Sequence, residues 1–93
     1  MIRFVVLAKG TLEARKNIAQ AKKSLTDVSN MFKARGASII SAYAIMGEYD
    51  YLFVTDVPDM DTAFELSAMV GTMGSLVCQT YPIMPLEELF KSI

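Results

Sequence analysis

The order of the apolar patterns along the chain limits its fold more than any other feature. Apolar, β-branched runs predict four strands, at 2–8, 37–46, 49–57 and 75–82. Helical spacing appears between the first two strands and again at roughly 59–72. This β-α-β-β-α-β order is that of the split βαβ, or ferredoxin-like, arrangement. Right-handed crossovers then place both helices on one face of a four-stranded antiparallel sheet, in a single domain over residues 1–93.

The ends of the helices are predicted from capping residues. The first helix has an apolar stripe formed by Ala14, Ile18, Ala21, Leu25, Val28 and Phe32. Thr11 is its expected N-cap, Glu13 lies in its expected first turn, and Gly36 can end it in the left-handed conformation. Pro58 opens the second helix, and a tail after Pro85 is expected to form one or two helical turns.

The sheet face away from the helices is too apolar to meet water. Strand one, predicted to be buried on both faces, carries Phe4 and Val6 on one face and Val5 and Leu7 on the other. The whole chain is 93 residues long and 53% apolar, which is rich for a domain of this size. Stacking the bare faces of two subunits would bury this surface. The sequence therefore predicts a homodimer or a higher homo-oligomer.

The segment GEYD at 47–50 is predicted to connect strands two and three. With Gly47 and Glu48 as the central residues of a type II′ turn, the register follows directly. Its pairs are Met46 with Tyr49, Ile45 with Asp50, Ala44 with Tyr51, Tyr43 with Leu52, Ala42 with Phe53, and Ser41 with Val54. The bare face then holds Ser41, Tyr43 and Asp50, a mixture that could enclose a polar ligand.

Several classes of function are disfavoured by composition. A net charge of −1 gives no electrostatic footprint for nucleic acid, and no apolar run is long enough to span a membrane. The chain has no histidine, and its single cysteine, Cys78, is expected to pack as a small hydrophobe. A carboxylate cation site at Asp59, Asp61 and Glu65 is less favoured than helix capping. No metal or cofactor is predicted, and one cysteine fits a reducing, cytoplasmic compartment.

Three blocks of sequence resemble the GYD family of small bacterial proteins, named for a Gly-x-Tyr-Asp motif. They are FVVLAKGTLEARKNI, GEYDYLFVTDVPD and GTMGSLVCQTYPIMPLEEL, and Gly47, Tyr49 and Asp50 occupy the motif positions. Ala14 stands where glycine is expected after Thr-x-Glu. The resemblance implies a ferredoxin-like fold of the dimeric α/β-barrel group and no established activity. A similar turn occurs in the ligand-binding domain of feast/famine regulators, which assemble and bind small effectors such as amino acids.

Three hypotheses of function remain open on the sequence. The first is a non-catalytic module that binds a small molecule or another protein, with candidate ligand contacts at Tyr43, Gly47, Tyr49, Asp50 and Tyr81. The second is a cofactor-free enzyme in which Asp50 and a tyrosine transfer a proton. The third is a structural scaffold with its inter-sheet space filled by side chains. For GEYD itself, a turn with its ends anchored is favoured over a ligand contact.

Overall fold

The computed structural model describes residues 1–11, 17–74 and 76–93, and within them the fold is α+β. Its elements are β1 (Ile2–Gly10), α1 (Ile18–Ala34), β2 (Ser38–Ala44), β3 (Tyr51–Val57), α2 (Met60–Thr72), β4 (Leu76–Pro82) and α3 (Leu86–Lys91). The four strands form one antiparallel sheet in the order β2-β3-β1-β4. The predicted ferredoxin-like arrangement is confirmed.

The sequence predicted that the first helix begins after Thr11, but the N-cap of α1 is Asn17. Asn17 has an extended backbone, and its side chain accepts the N–H of Gln20, which makes it the N-cap of α1. The predicted first-turn residue Glu13 and the stripe residue Ala14 lie outside the described residues. Asparagine and threonine are both favoured N-cap residues, so the presence of a capping residue alone does not choose between the two starts.

Gly36 ends α1 in the predicted left-handed conformation, with φ at +73°. The N–H of Ala37 donates to the carbonyl of Phe32 and that of Gly36 to Lys33, at 2.9 and 3.1 Å. This is the hydrogen-bond pattern of a Schellman motif, which satisfies two carbonyls at the end of the helix. The chain is thereby turned directly from α1 into β2.

Replacing Gly36 with alanine is expected to lower the free energy of unfolding by about 1–2 kcal/mol, because a Cβ is unfavourable at positive φ. The new Cβ would lie 3.5 Å from Pro58, an ordinary contact, so the loss comes from the backbone. The control is Gly71→Ala in α2, where a Cβ meets open space and the helix gains stability. Urea denaturation of the two variants should give shifts of opposite sign.

The hydrophobic core lies between the helices and one face of the sheet. Its members include Phe4, Val6, Phe53, Val57 and Leu76 from the sheet, and Val28, Phe32, Leu66 and Val70 from the helices. A cavity of about 30 Å³ within this core holds roughly one water molecule, so the core as described is no ligand site. β1 is buried on the helix side alone. Val5 and Leu7, on its other face, are half-buried, so the prediction of two buried faces is wrong for the single chain.

The β2–β3 register is the predicted one, but the connection is longer than predicted. Tyr43 pairs with Leu52 and Ala44 with Tyr51, and there the strand ladder ends. Residues 45–50 form an irregular loop, so the tight turn with Met46 opposite Tyr49 is wrong. Asp50 is bonded on both sides, since its carbonyl accepts the N–H of Ile45 and its N–H donates to Ala8 of β1, and residues 46–49 are left outside the ladder. Gly47 supplies the positive φ that this loop requires, at +138°.

Candidate functional site

The sheet face opposite the helices carries a continuous apolar centre. Val5 and Leu7 of β1 pair with Val54 and Leu52 of β3, and all four side chains are half-buried in the single chain. The outer strands add Tyr43 and Tyr81, which are 58% and 47% exposed. We call this surface, formed by Val5, Leu7, Leu52, Val54, Tyr43 and Tyr81, the bare face. Aromatic and β-branched residues of this kind usually pack against another surface.

A bidentate ion pair between Arg3 and Asp56 lies at one end of the bare face. Arg3 Nε lies 2.8 Å from Asp56 Oδ1, and Arg3 Nη2 lies 3.0 Å from Asp56 Oδ2. The hydrogen bond from Arg3, with its charge, holds the pKa of Asp56 below its usual range. The two residues are register partners on β1 and β3. The apolar centre is therefore bounded by a fixed polar group of the kind that rims protein interfaces.

Asp50 anchors the loop formed by residues 45–50, which we call the GEYD loop, to β1. Its Oδ2 accepts the N–H of Gly10 at 2.8 Å, and its own N–H donates to the carbonyl of Ala8 at 2.9 Å. Its carbonyl accepts the N–H of Ile45 at 2.9 Å, which ties the same residue to the end of β2. The predicted anchoring by neighbouring backbone N–H groups is confirmed. The carboxylate also completes the end of β1, where the ladder to β3 has stopped.

Two tyrosines converge on one amide beside the bare face. Tyr49 of the GEYD loop and Tyr81 of β4 donate their hydroxyl hydrogens to Gln79 Oε1, at 2.6 and 2.7 Å. Partial burial, then the charge of Glu48 and that of Tyr81, raises the pKa of Tyr49 above its usual value. The Tyr49 phenol therefore stays neutral at physiological pH. The group has two hydroxyl oxygens and an amide N–H₂, which can each form further hydrogen bonds.

The register separates Tyr43 from this group within one chain. Tyr43, Leu52, Leu7 and Gln79 lie in one row across the sheet, with Tyr43 and Gln79 on the two outer strands. Three strand spacings, about 14 Å, therefore divide them. Of the five predicted ligand residues, the structure brings together Tyr49 and Tyr81, whereas Asp50 anchors the loop that carries Tyr49. Gly47 serves the loop's backbone conformation.

Gln79 was not among the residues predicted from the sequence. The signal that could have identified it is the alternation in β4, where Val77, Gln79 and Tyr81 project from the sheet on the side away from the core residue Leu76. Gln79 is the polar member of that set. A polar side chain between two apolar ones on an otherwise apolar face indicates a specific hydrogen-bonding role.

The remaining polar candidates have structural roles. Asp59 caps α2 by accepting the N–H of Thr62 at 2.8 Å, which lowers the pKa of Asp59, and Glu65 pairs with Arg35. Cys78 is half-buried, and burial raises the pKa of its thiol. No group of acids or cysteine able to hold a metal ion occurs in the described part of the chain. The described helices include none long and apolar enough to cross a membrane.

Comparison with known proteins gives a family and a fold. The sequence profile of the GYD domain matches residues 4–93. A Thermus thermophilus protein named "Glutamine synthetase and cystathionine beta-lyase binding protein" is 21% identical over 94 residues, covering 100% of this chain and 99% of its own. The match spans both chains from end to end.

Solved structures of regulatory proteins share the fold. FFRP-DM1 superposes with a TM-score of 0.64 at 15% identity, covering 90% of this chain and 100% of its own. The feast or famine regulatory protein from M. tuberculosis, complexed with L-methionine, gives a TM-score of 0.66 at 14% identity. That match covers 91% of this chain but 51% of the regulator, so the chain spans about half the regulator's length. At these identities the likeness is one of fold.

Proposed function

The chain belongs to the GYD domain family, and from that premise we propose that it is a non-catalytic binding module. In this proposal two chains stack their bare faces, and a small amphipathic molecule of amino-acid size binds beside the Tyr49–Gln79–Tyr81 group. The observation that carries the proposal is the convergence of two phenols on one amide oxygen at the margin of an apolar surface. Such a site offers hydrogen bonds to a polar head and apolar contact to a side chain.

The comparisons support an amino acid as the ligand class. The M. tuberculosis regulator of the same fold was solved with L-methionine. A transcriptional regulator from Neisseria meningitidis was also solved with L-methionine, and superposes with a TM-score of 0.60 over 90% of this chain. Among the described residues, the groups that hydrogen-bond to Gln79 Oε1 are the hydroxyls of Tyr49 and Tyr81, so the apolar part of the ligand is expected to supply much of the affinity.

Calorimetric titration with L-methionine, then with the other standard amino acids, tests the ligand site. Tyr81→Phe and Gln79→Leu are expected to weaken binding at least tenfold, because each removes a hydrogen-bonding group. Tyr51→Phe is the matched control, since that phenol belongs to the helix side of the sheet and its ring stacks near Phe53. The ligand proposal fails if no amino acid binds, or if Gln79→Leu binds as well as the parent.

A second candidate is docking to an enzyme. The Thermus thermophilus relative is named for binding glutamine synthetase and cystathionine beta-lyase. The bare face, with its Arg3–Asp56 pair at one end, has the apolar centre and polar rim that such a contact requires. This candidate is favoured if the purified protein is monomeric and co-sediments with a glutamine synthetase through the bare face.

The anchoring of Asp50 argues against a role as catalytic base. One of its carboxylate oxygens accepts a backbone N–H from Gly10, and both of its main-chain groups are hydrogen-bonded. A general base needs an oxygen directed at the substrate proton. The binding module is therefore the function that the geometry supports best.

A further inference from the structure

The C-terminal segment projects an apolar surface that its own chain leaves uncovered. The helix α3 has no buried residue among its six, although Leu86, Leu89 and Phe90 within it are apolar. We call residues 83–93 the tail. Its exposed apolar residues are Ile83, Met84, Leu86, Leu89, Phe90 and Ile93, from 39% to 96% accessible. A helix of six residues is unstable alone in water, because helices below about 12–15 residues are marginal. The tail therefore requires a surface to dock on.

A groove lined in part by apolar side chains runs along the outer edge of the same fold. It lies between α2 and the edge strand β4, has a volume of about 520 Å³, and is lined by Phe64, Ser67, Gly71, Leu76, Val77, Cys78 and Thr80. A smaller depression of about 140 Å³ shares Phe64, Ser67 and Thr80 and reaches Met60 and Pro82. Phe64 is 71% exposed, so the groove lacks a cover in the single chain. We call this surface the edge groove.

The first residue of the tail continues the line of β4. The N–H of Ile83 donates to the carbonyl of Arg3 at 2.9 Å, one position beyond the end of the strand. Pro85 has an extended backbone, with φ at −57° and ψ at 137°, and the residue before a proline is generally kept out of the helical region. The helix α3 that follows has no buried residue, so its apolar side chains are available to another molecule.

We propose that the tail of each chain docks in the edge groove of a second copy, and that the exchange is reciprocal. Every chain carries one tail and one groove, so a two-fold pair satisfies both surfaces without leaving a free end. A helix laid into an apolar groove is a common recognition mode. This exchange uses the α2–β4 edge and does not depend on stacking of the bare faces.

The area of the tail fits this arrangement. A phenylalanine side chain alone buries about 150–250 Å². Two tails, each with the six exposed apolar side chains named above, therefore reach the roughly 1,200–2,000 Å² of a stable interface.

Variants of the 93-residue chain in which Val5→Glu disables the bare face test the exchange. In that background we expect dimers by native mass spectrometry. Phe90→Asp, in the tail, and Gly71→Lys, in the groove, should each leave monomers. A side chain at Gly71 meets no atom within 4 Å, so lysine fills the groove without straining its own fold. Ala68→Lys, on an exposed position of α2 outside the groove, is the matched control and should remain dimeric.

Mixing the two disabled chains separates exchange from folding back within one chain. The Phe90→Asp chain keeps a groove and the Gly71→Lys chain keeps a tail, so together they should form a heterodimer held by one contact. Absence of that heterodimer, or a monomeric Val5→Glu parent, overturns the proposal. If Val5→Glu does not fold, the same tail and groove variants are made in the parent sequence, and their dissociation concentrations test the proposal. There Phe90→Asp and Gly71→Lys must each raise the dissociation concentration at least tenfold while Ala68→Lys does not.

Discussion

Replacing Val5 with glutamate is expected to reduce the native mass of the protein by at least half. Val5 lies at the centre of the bare face, between Val54 of β3 and Tyr81 of β4. In the single chain the new carboxylate stays partly solvated, so folding is preserved. In a stacked pair it becomes a buried charge without a partner, which costs several kcal/mol. At about 1.4 kcal/mol for each factor of ten, the dissociation constant rises at least a hundredfold.

Sedimentation equilibrium over a dilution series measures this effect. Met46→Glu is the control, because Met46 is fully exposed in the GEYD loop. This substitution adds the same charge as Val5→Glu but away from the bare face. Circular dichroism establishes that both variants keep the parent fold. An unchanged native mass for Val5→Glu would contradict bare-face stacking, and so would a parent protein that is monomeric at micromolar concentration. In the second case enzyme docking becomes the better account of the bare face.

The fold could be predicted because its determinants are local. Alternation fixes which residues of β1 share a face, and the large-against-small pairing of Phe53 with Ala42 follows once Gly47 is placed in the connection. The register survived even though the connection is looser than a two-residue turn. Register depends on the sum of the paired positions, and a symmetric loop leaves that sum unchanged. The left-handed Gly36 was predictable for the same reason, since it terminates a clear helical period.

The site was harder to predict because it is built from non-local neighbours. Gln79 matters through Tyr49, thirty positions away, which reaches β4 after Asp50 has bonded to β1. No periodicity in the sequence encodes that approach. The distance between Tyr43 and Tyr81, by contrast, follows from the ferredoxin-like strand order, which places β2 and β4 at opposite edges. The sequence analysis placed Tyr43 and Tyr81 in one site because both are tyrosines, whereas the strand order separates them within one chain.

Replacing Asp50 with alanine is expected to lower the free energy of unfolding by about 1.5–3 kcal/mol. That is the usual contribution of a hydrogen bond to a charged group, and here it leaves the N–H of Gly10 without its acceptor at a buried position. Asp50→Asn keeps an oxygen at the same place and should lose roughly half as much. Asp27→Ala, at an exposed position of α1, is the control and should change stability by less than about 0.5 kcal/mol.

The same substitution distinguishes an anchor from a ligand contact. If Asp50 acts by holding the GEYD loop on β1, Asp50→Ala should displace Tyr49 from Gln79 and move the pKa of Tyr49 back toward its ordinary value. Absorbance titration of the phenols measures that shift, with Tyr49→Phe identifying the signal. A variant that loses ligand affinity while Tyr49 titrates as in the parent would instead place Asp50 in direct contact with the ligand. Loop anchoring predicts that the pKa shift and the loss of affinity occur together.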